Sequence, residues 1–333
     1  MEEKSLKILA IQMSSVIGNK QANFAKVEDL IEKNMQKDTD IIILPEVWTV
    51  GWACCEFEKS AEDLENSEII EFLSKIAKKY NTNIIGGSFI TRREQETGNG
   101  EQLIYAKSKK QKVKSDDSPF GLLPLAFCPS TNLKNTCPVI NRNGELVATY
   151  DKMHLFSYYG CMEGSYVENG CNPVMVKFDF NSGELGEHEM GNRKWEMEAS
   201  SHTEASSIVK IGLSICYDIR FPEIYRAYAK AGADLLINMA AWPKSRAGHW
   251  ENLTKARAIE NQCFMVALTQ SGLIEGEDWN LGHSRVIDFN GETVKEIDNG
   301  EGAMYAEIRF EDMYEFRKKC TVLKDIHEKY EVK

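Results

Sequence analysis

The chain has 333 residues, enough to bury a substantial core, and a formal net charge of −11 at pH 7. With no basic stripe to neutralise phosphates, nucleic acid is excluded as a partner, and no apolar run approaches the roughly 18 residues of a membrane span. Nine cysteines form an odd set without a CxxC pair, which fits neither a disulfide framework nor a zinc ribbon and points to reduced thiols in the cytoplasm.

The first residues, Met1-Glu2-Glu3-Lys4-Ser5, carry no charged-then-apolar leader and run straight into a strand over Leu6–Gln12. Phe24, Val27, Ile31 and Met35 share one face of a predicted helix over Asn23–Gln36, and Ile41–Leu44 is the next strand. Ile70, Leu73, Ile76 and Tyr80 place a helix over 67–80, and Asn83–Phe89, with Gly86-Gly87-Ser88 inside it, returns as a strand. This is βαβαβ, the order of an α/β protein with covered sheets.

The second half repeats the pattern. Val209–Ile215 is a buried strand, and Pro222 suits the first turn of a helix that runs to a capping Gly232. Leu235–Met239 is a strand, Trp250–Glu260 a helix with Trp250, Leu253 and Ala256 on one side, and Phe264–Leu268 a further strand. Asn-Gly turn signals stand at Asn143-Gly144 and Asn290-Gly291. Nothing reads as a linker, so residues 1–333 are expected to form one domain. Two stretches break the alternation and read as surface insertions: residues 92–134, with the basic patch Lys107, Lys109, Lys110, Lys112 and Lys114, and the acidic residues 180–205. Vicinal Cys54 and Cys55 read as packing residues.

Three side chains stand where the chemistry of an α/β sheet is found, at strand ends. Ile41-Ile42-Ile43-Leu44-Pro45 delivers Glu46, and Val209–Ile215 delivers Cys216, followed by the polar burst Tyr217-Asp218-Ile219-Arg220. Between them, Tyr150-Asp151-Lys152-Met153-His154-Leu155-Phe156 brings a lysine beside an apolar stretch. A carboxylate takes a thiol's proton and returns it to a leaving amine, and an ammonium in a dry pocket steadies a developing oxyanion. Taken singly, each has a plainer reading: Cys216 an inert buried thiol, Glu46 a helix cap, Lys152 a surface cation. Together they equip a site to attack a carbonyl.

Leu44-Pro45-Glu46, the Lys152 segment and Cys216-Tyr217-Asp218-Ile219-Arg220-Phe221-Pro222-Glu223 resemble, in order, the motifs of the nitrilase superfamily of carbon–nitrogen hydrolases. The resemblance runs from the first strand through Gly291, interrupted by the two insertions. It implies a four-layer αββα sandwich in which Glu46 is the general base, Lys152 the oxyanion support and Cys216 the nucleophile, with the Tyr217 N–H as another oxyanion donor. Family members also carry a second glutamate after the lysine, matched here by Glu163 before Gly164, with Glu168 as its rival. Its role would be to position Lys152 and the attacking water.

The Cys216 segment, with Ala241-Trp242-Pro243 and His249-Trp250 downstream, is most similar to the omega-amidase branch, whose members hydrolyse the terminal amide of 2-oxo acid amides. The substrate is then a small-molecule amide, with Tyr217, Arg220 and Trp242 around it. Arg220 either grips a substrate carboxylate through a bidentate pair or pins the helix start by pairing with Asp218 or Glu223. The alternatives are an N-carbamoyl amine or amino acid amidohydrolase, and a member of the fold that binds without catalysis; a thiol redox enzyme would need Cys161 as resolving partner. The sequence contains no HExxH, GxGxxG or GxxxxGK[ST], so no metal or cofactor is expected. A homodimer or larger homo-oligomer is implied by the resemblance.

Overall fold

In a computed structural model, residues 5–93, 132–157, 162–188, 207–273 and 279–327 are described. The first half runs through β1 (Ser5–Gln12), α1 (Lys20–Asn34), β2 (Ile41–Ile43), the short α2 (Phe57–Ser60), β3 (Glu62–Asp63), α3 (Glu68–Tyr80), β4 (Asn83–Ile85), β5 (Phe89–Arg92), β6 (Leu133–Ile140) and β7 (Leu146–Asp151). The second half comprises β8 (Met175–Asp179), β9 (Glu184–His188), β10 (Ile208–Ile215), α4 (Pro222–Lys230), β11 (Leu235–Ala240), α5 (Ala247–Asn261), β12 (Phe264–Thr269), β13 (Ser271–Leu273), β14 (Trp279–Leu281), β15 (Arg285–Ile287), β16 (Thr293–Glu296), β17 (Gly302–Arg309) and α6 (Glu311–Lys319).

Two large sheets result. The first has the order β17-β1-β2-β4-β6-β5-β3, with β7 also paired to β6, and the second the order β16-β15-β12-β11-β10-β8-β9. The period of two along each strand decides what each face meets. In β1 and β2, Leu6, Ile8, Ala10, Ile41 and Ile43 join a core shared with the second sheet, whereas Leu9, Ile11 and Ile42 meet Phe24, Val27 and Ile31 of α1 and Leu73 and Ile76 of α3. On the second sheet Tyr228 of α4 lies over Gly212 of β10, where a Cβ would meet its ring at 2.7 Å. The layers are therefore helix, sheet, sheet, helix, the αββα sandwich expected. No helix among the described residues is long and apolar enough to cross a membrane.

Several boundaries differ from expectation for local reasons. The strand over Asn83–Phe89 is broken at Gly86–Ser88 into β4 and β5. In α5 the fully buried face runs through Trp250, Thr254, Arg257, Ala258 and Asn261, with Leu253 packed partly buried against the same core and Ala256 half-buried. Arg257 turns inward because its guanidinium donates to the Ile219 carbonyl at 3.0 and 2.8 Å. The stretch 180–205, expected to be irregular, opens with β9, which pairs antiparallel with β8. Its signal is faint because only Leu185 of that strand is an apolar buried residue. Of the stretch 92–134, Arg92 belongs to β5 and Leu133 and Lys134 to β6; residues 94–131, with the basic patch, lie outside the described residues.

Candidate active site

Glu46 leaves the end of β2 through Leu44 and Pro45 and is fully buried. Its turn is held by the Gly86–Ser88 break. Gly87 adopts a φ of +66°, and a Cβ there would lie 2.1 Å from the Pro45 carbonyl, so glycine permits the approach. Ser88 N donates to that carbonyl at 3.1 Å, and Val47 N, at a φ of 41°, donates to Ser88 Oγ at 3.0 Å. From the second sheet, Ala241 N donates to Glu46 Oε2 at 2.8 Å and Gln270 Nε2 to the Glu46 carbonyl at 2.5 Å.

Lys152 follows β7 and is likewise fully buried. Its ammonium donates to Glu46 Oε1 at 2.7 Å, Glu163 Oε2 at 2.8 Å and Glu163 Oε1 at 3.1 Å, and lies 5.0 Å from the centre of the Trp52 ring. Glu163 opens the 3-10 turn Glu163–Ser165; its Oε2 accepts from Phe156 N at 2.7 Å, and its own N–H donates back to the Phe156 carbonyl at 2.9 Å. Glu168 is elsewhere: 42% of its side chain is exposed, and it pairs with Lys134 at 3.5 Å. Geometry thus brings Glu163, and not Glu168, against the lysine.

Cys216 sits at the end of β10, 5% exposed, in the left-handed region with a φ of 45°. A cysteine is strained there, and such strain concentrates at functional turns. Its Sγ lies 3.9 Å from the Ala241 carbonyl, so one residue, Ala241, faces Glu46 with its N–H and Cys216 with its oxygen. Burial pushes the Cys216 thiol well above its usual pKa; the Glu46 carboxylate adds to that and Lys152 opposes it. Burial raises the Glu46 carboxyl too, against the pull of Lys152 and with the push of Glu163. For Lys152 burial acts downward, but the charges of Glu163 and Glu46 outweigh it and hold the ammonium well above its usual value. The site therefore gathers a buried thiol, a buried carboxyl and a buried ammonium, each shifted by the others.

The turn Cys216–Arg220 carries two more polar groups with different fates. Asp218 is fully buried and accepts four hydrogen bonds: from Ile215 N at 2.9 Å, Tyr150 Oη at 2.7 Å, His154 N at 2.9 Å and His154 Nδ1 at 2.7 Å. The His154 ring stacks on Phe221 at 3.7 Å. Asp218 therefore ties the Cys216 turn to the segment that carries Lys152, and it is not a partner of Arg220. Among the described residues Arg220 makes no ion pair, with Glu223 or any other acid. Its guanidinium lies 5.0 Å from the Trp242 ring centre and 5.7 Å from that of Tyr217, and both terminal nitrogens stand 3.3 Å from His249 Nδ1. Trp242 is 3% exposed and donates its Nε1–H to the Arg246 carbonyl at 2.9 Å. Cys161 lies outside the described residues.

Sequence reasoning missed Asn135, Gln270 and Ala241. Asn135 on β6 donates from Nδ2 to Glu46 Oε1 at 3.2 Å and Glu163 Oε1 at 3.1 Å. Its signal was weak, because Asn135 stands between the polar Lys134 and Thr136 at the start of the strand that runs on to Cys137-Pro138-Val139-Ile140. Ala241 acts through its backbone, which no residue pattern announces.

A family model described as carbon–nitrogen hydrolase matches residues 7–115 and 120–318. The 2-oxoglutaramate amidase of Bacillus subtilis (strain 168) is 28% identical over 319 residues, 96% of each chain. Omega-amidase NIT3 of Saccharomyces cerevisiae is 25% identical over 332 residues, 96% of this chain and 93% of that one. Among solved structures, XC1258 of Xanthomonas campestris, a CN-hydrolase superfamily protein with an arsenic adduct in its active site, superposes with a TM-score of 0.72 at 24% identity, over 99% of this chain and 100% of its own. Saccharomyces cerevisiae Nit3, from branch 10 of the nitrilase superfamily, gives 0.70 at 24% identity, over 95% and 94%. At that identity the structural likeness speaks for the fold alone.

Proposed function

Starting from a chain that belongs to the carbon–nitrogen hydrolase family, we propose an amidase that removes ammonia from the terminal amide of a small carboxylic acid, a 2-oxo acid amide above all, through an acyl group on Cys216. One observation carries the reading: fully buried Glu46 accepts from the Lys152 ammonium at 2.7 Å and from the Ala241 N–H at 2.8 Å, and the carbonyl of that same Ala241 lies 3.9 Å from Cys216 Sγ.

Glu46 takes the thiol proton as Sγ attacks the amide carbon. The carbonyl electrons move onto oxygen, where Lys152 and the Tyr217 N–H steady the charge. Collapse of this intermediate breaks the C–N bond, and Glu46 gives its proton to the departing amine. Water then attacks the thioester with Glu46 again as proton acceptor, and the acid leaves as the thiol is restored. Glu163 holds Lys152 in place throughout. The substrate's far carboxylate pairs with Arg220, a cation that lies over the Trp242 ring and has no acid paired to it among the described residues; relatives named for 2-oxoglutaramate and omega-amides support that acyl class.

The test is ammonia release from 2-oxoglutaramate, neutral amides of similar length, N-carbamoyl amines and nitriles, with mass spectrometry of the Cys216 peptide during turnover. Acidic amides should be preferred and an acyl mass should appear on Cys216. Cleavage of carbamoyl amines alone, or an active Cys216→Ala variant, would sink the reading.

A further inference from the structure

The charged members of the cluster leave one demand unmet. Lys152 has three N–H donors, and three carboxylate oxygens already take them: Glu46 Oε1, Glu163 Oε2 and Glu163 Oε1. An ammonium so engaged turns a hydrogen toward an oxyanion only by letting one of those oxygens go. A buried carboxylate oxygen stripped of its donor is costly, and that cost would fall on the transition state.

Asn135 stands at this step. Its Nδ2 donates to Glu46 Oε1 and Glu163 Oε1, so it touches both carboxylates that Lys152 bridges. The orientation follows from the chemistry: carboxylates only accept, so the amide nitrogen must face them. Asn135 Oδ1 is then buried without a hydrogen-bond partner among the described residues. A side chain held so that its own acceptor goes unpaired is placed there for its donors, since buried polar atoms are otherwise paired. The Asn135 carbonyl also accepts the Lys152 backbone N–H at 2.9 Å, so one residue sets both the lysine's backbone and the acids around its tip.

We infer that Asn135 is a positioning residue that keeps Glu46 Oε1 and Glu163 Oε1 supplied with a donor while Lys152 turns to the oxyanion of the tetrahedral intermediate. The inference rests on the proposed amide hydrolysis for its last step. Its geometric part, an amide that supports the anionic cluster, does not depend on the substrate.

Asn135→Leu removes both donors while keeping the branched shape and adds no charge; Asn135→Ala removes them with less bulk if the larger leucine does not fold. Two measurements are made on either variant: kcat and KM for the preferred amide, and the rate of Cys216 alkylation by iodoacetamide across the pH range of thiol ionisation. The expected result is a fall in kcat of at least about 10-fold, the scale of a hydrogen bond to a charged group, with KM little changed and the alkylation midpoint moved to higher pH. A merely structural asparagine would leave that midpoint alone. Full kcat, or an unmoved midpoint in a folded variant, would overturn the inference. A wild-type protein that releases ammonia from no amide would overturn the proposed reaction instead, and the alkylation comparison would still judge Asn135.

Discussion

Ala241 holds Glu46 across the seam between two sheets: its N–H, just past β11 of the second sheet, donates at 2.8 Å to a carboxylate delivered by β2 of the first. Gln270, after β12, adds a second bond from the same side. Glu46 is thus aligned by strands that are distant in sequence and meet only when both sheets pack. Cys216 belongs to the second sheet and Lys152 to the first, so the candidate triad exists only in the closed sandwich.

Burial raises the Glu46 carboxyl, and a protonated Glu46 cannot accept the thiol proton. Activity should therefore decline as pH falls, beginning above the ordinary glutamate range, and be regained as pH rises through the raised value. Glu46→Gln, which cannot take the proton at any pH, and Lys152→Met, which removes the charge, should each lower kcat by at least about 10²-fold. A profile flat to the ordinary glutamate pKa in the wild type would contradict the assignment of the base.

The two glutamates after the lysine should separate cleanly. Glu163→Gln loses the charge that meets two of the three donors on Lys152, so kcat should fall by about 10-fold or more. Glu168→Gln breaks only a partly exposed pair with Lys134 and should leave both kcat and the melting temperature near wild type. Equal effects of the two would remove Glu163 from the site.

Arg220→Lys keeps a positive charge but loses the flat fork that stacks on Trp242. The kcat/KM for an acidic amide should drop by about 10-fold or more, on the scale of a lost charged hydrogen bond, while a neutral amide of the same length is spared. Steady-state kinetics on the pair decides between substrate recognition and a structural role, which would lower both.

Asp218→Asn tests what holds the Cys216 turn. An amide offers one acceptor oxygen where the carboxylate takes four hydrogen bonds, so buried donors from Ile215, His154 or Tyr150 go unpaired. A loss of about 2–4 kcal/mol in unfolding free energy is expected, read by denaturant melts. An unchanged melt would mean that Cys216 keeps its left-handed turn without this clamp.

Strand and helix positions were legible wherever apolar spacing alone decides burial, as in Leu6–Gln12, Ile41–Leu44 and Phe264–Leu268. Glu46, Lys152 and Cys216 stood out because each ends or follows such a run. What escaped depends on partners far away in the chain. The break at Gly86–Ser88 makes sense only beside the Pro45 carbonyl that Gly87 must clear. Arg257 looks like a surface residue until the Ile219 carbonyl is placed beneath it. Arg220 left two readings open because the pairing of Asp218 with His154 and Tyr150 crosses from one sheet to the other.

The complete enclosure of Lys152 gives the protein an internal gauge of its own opening. An amine-reactive reagent reaches Lys33 or Lys59, whose side chains are 67% and 73% exposed, whenever it is present, but Lys152 has no exposed side-chain surface and three carboxylate oxygens around it. Label on Lys152 therefore accumulates only during excursions that open the site around it. Its rate relative to Lys33 counts those excursions residue by residue, without substrate and without unfolding the rest of the chain.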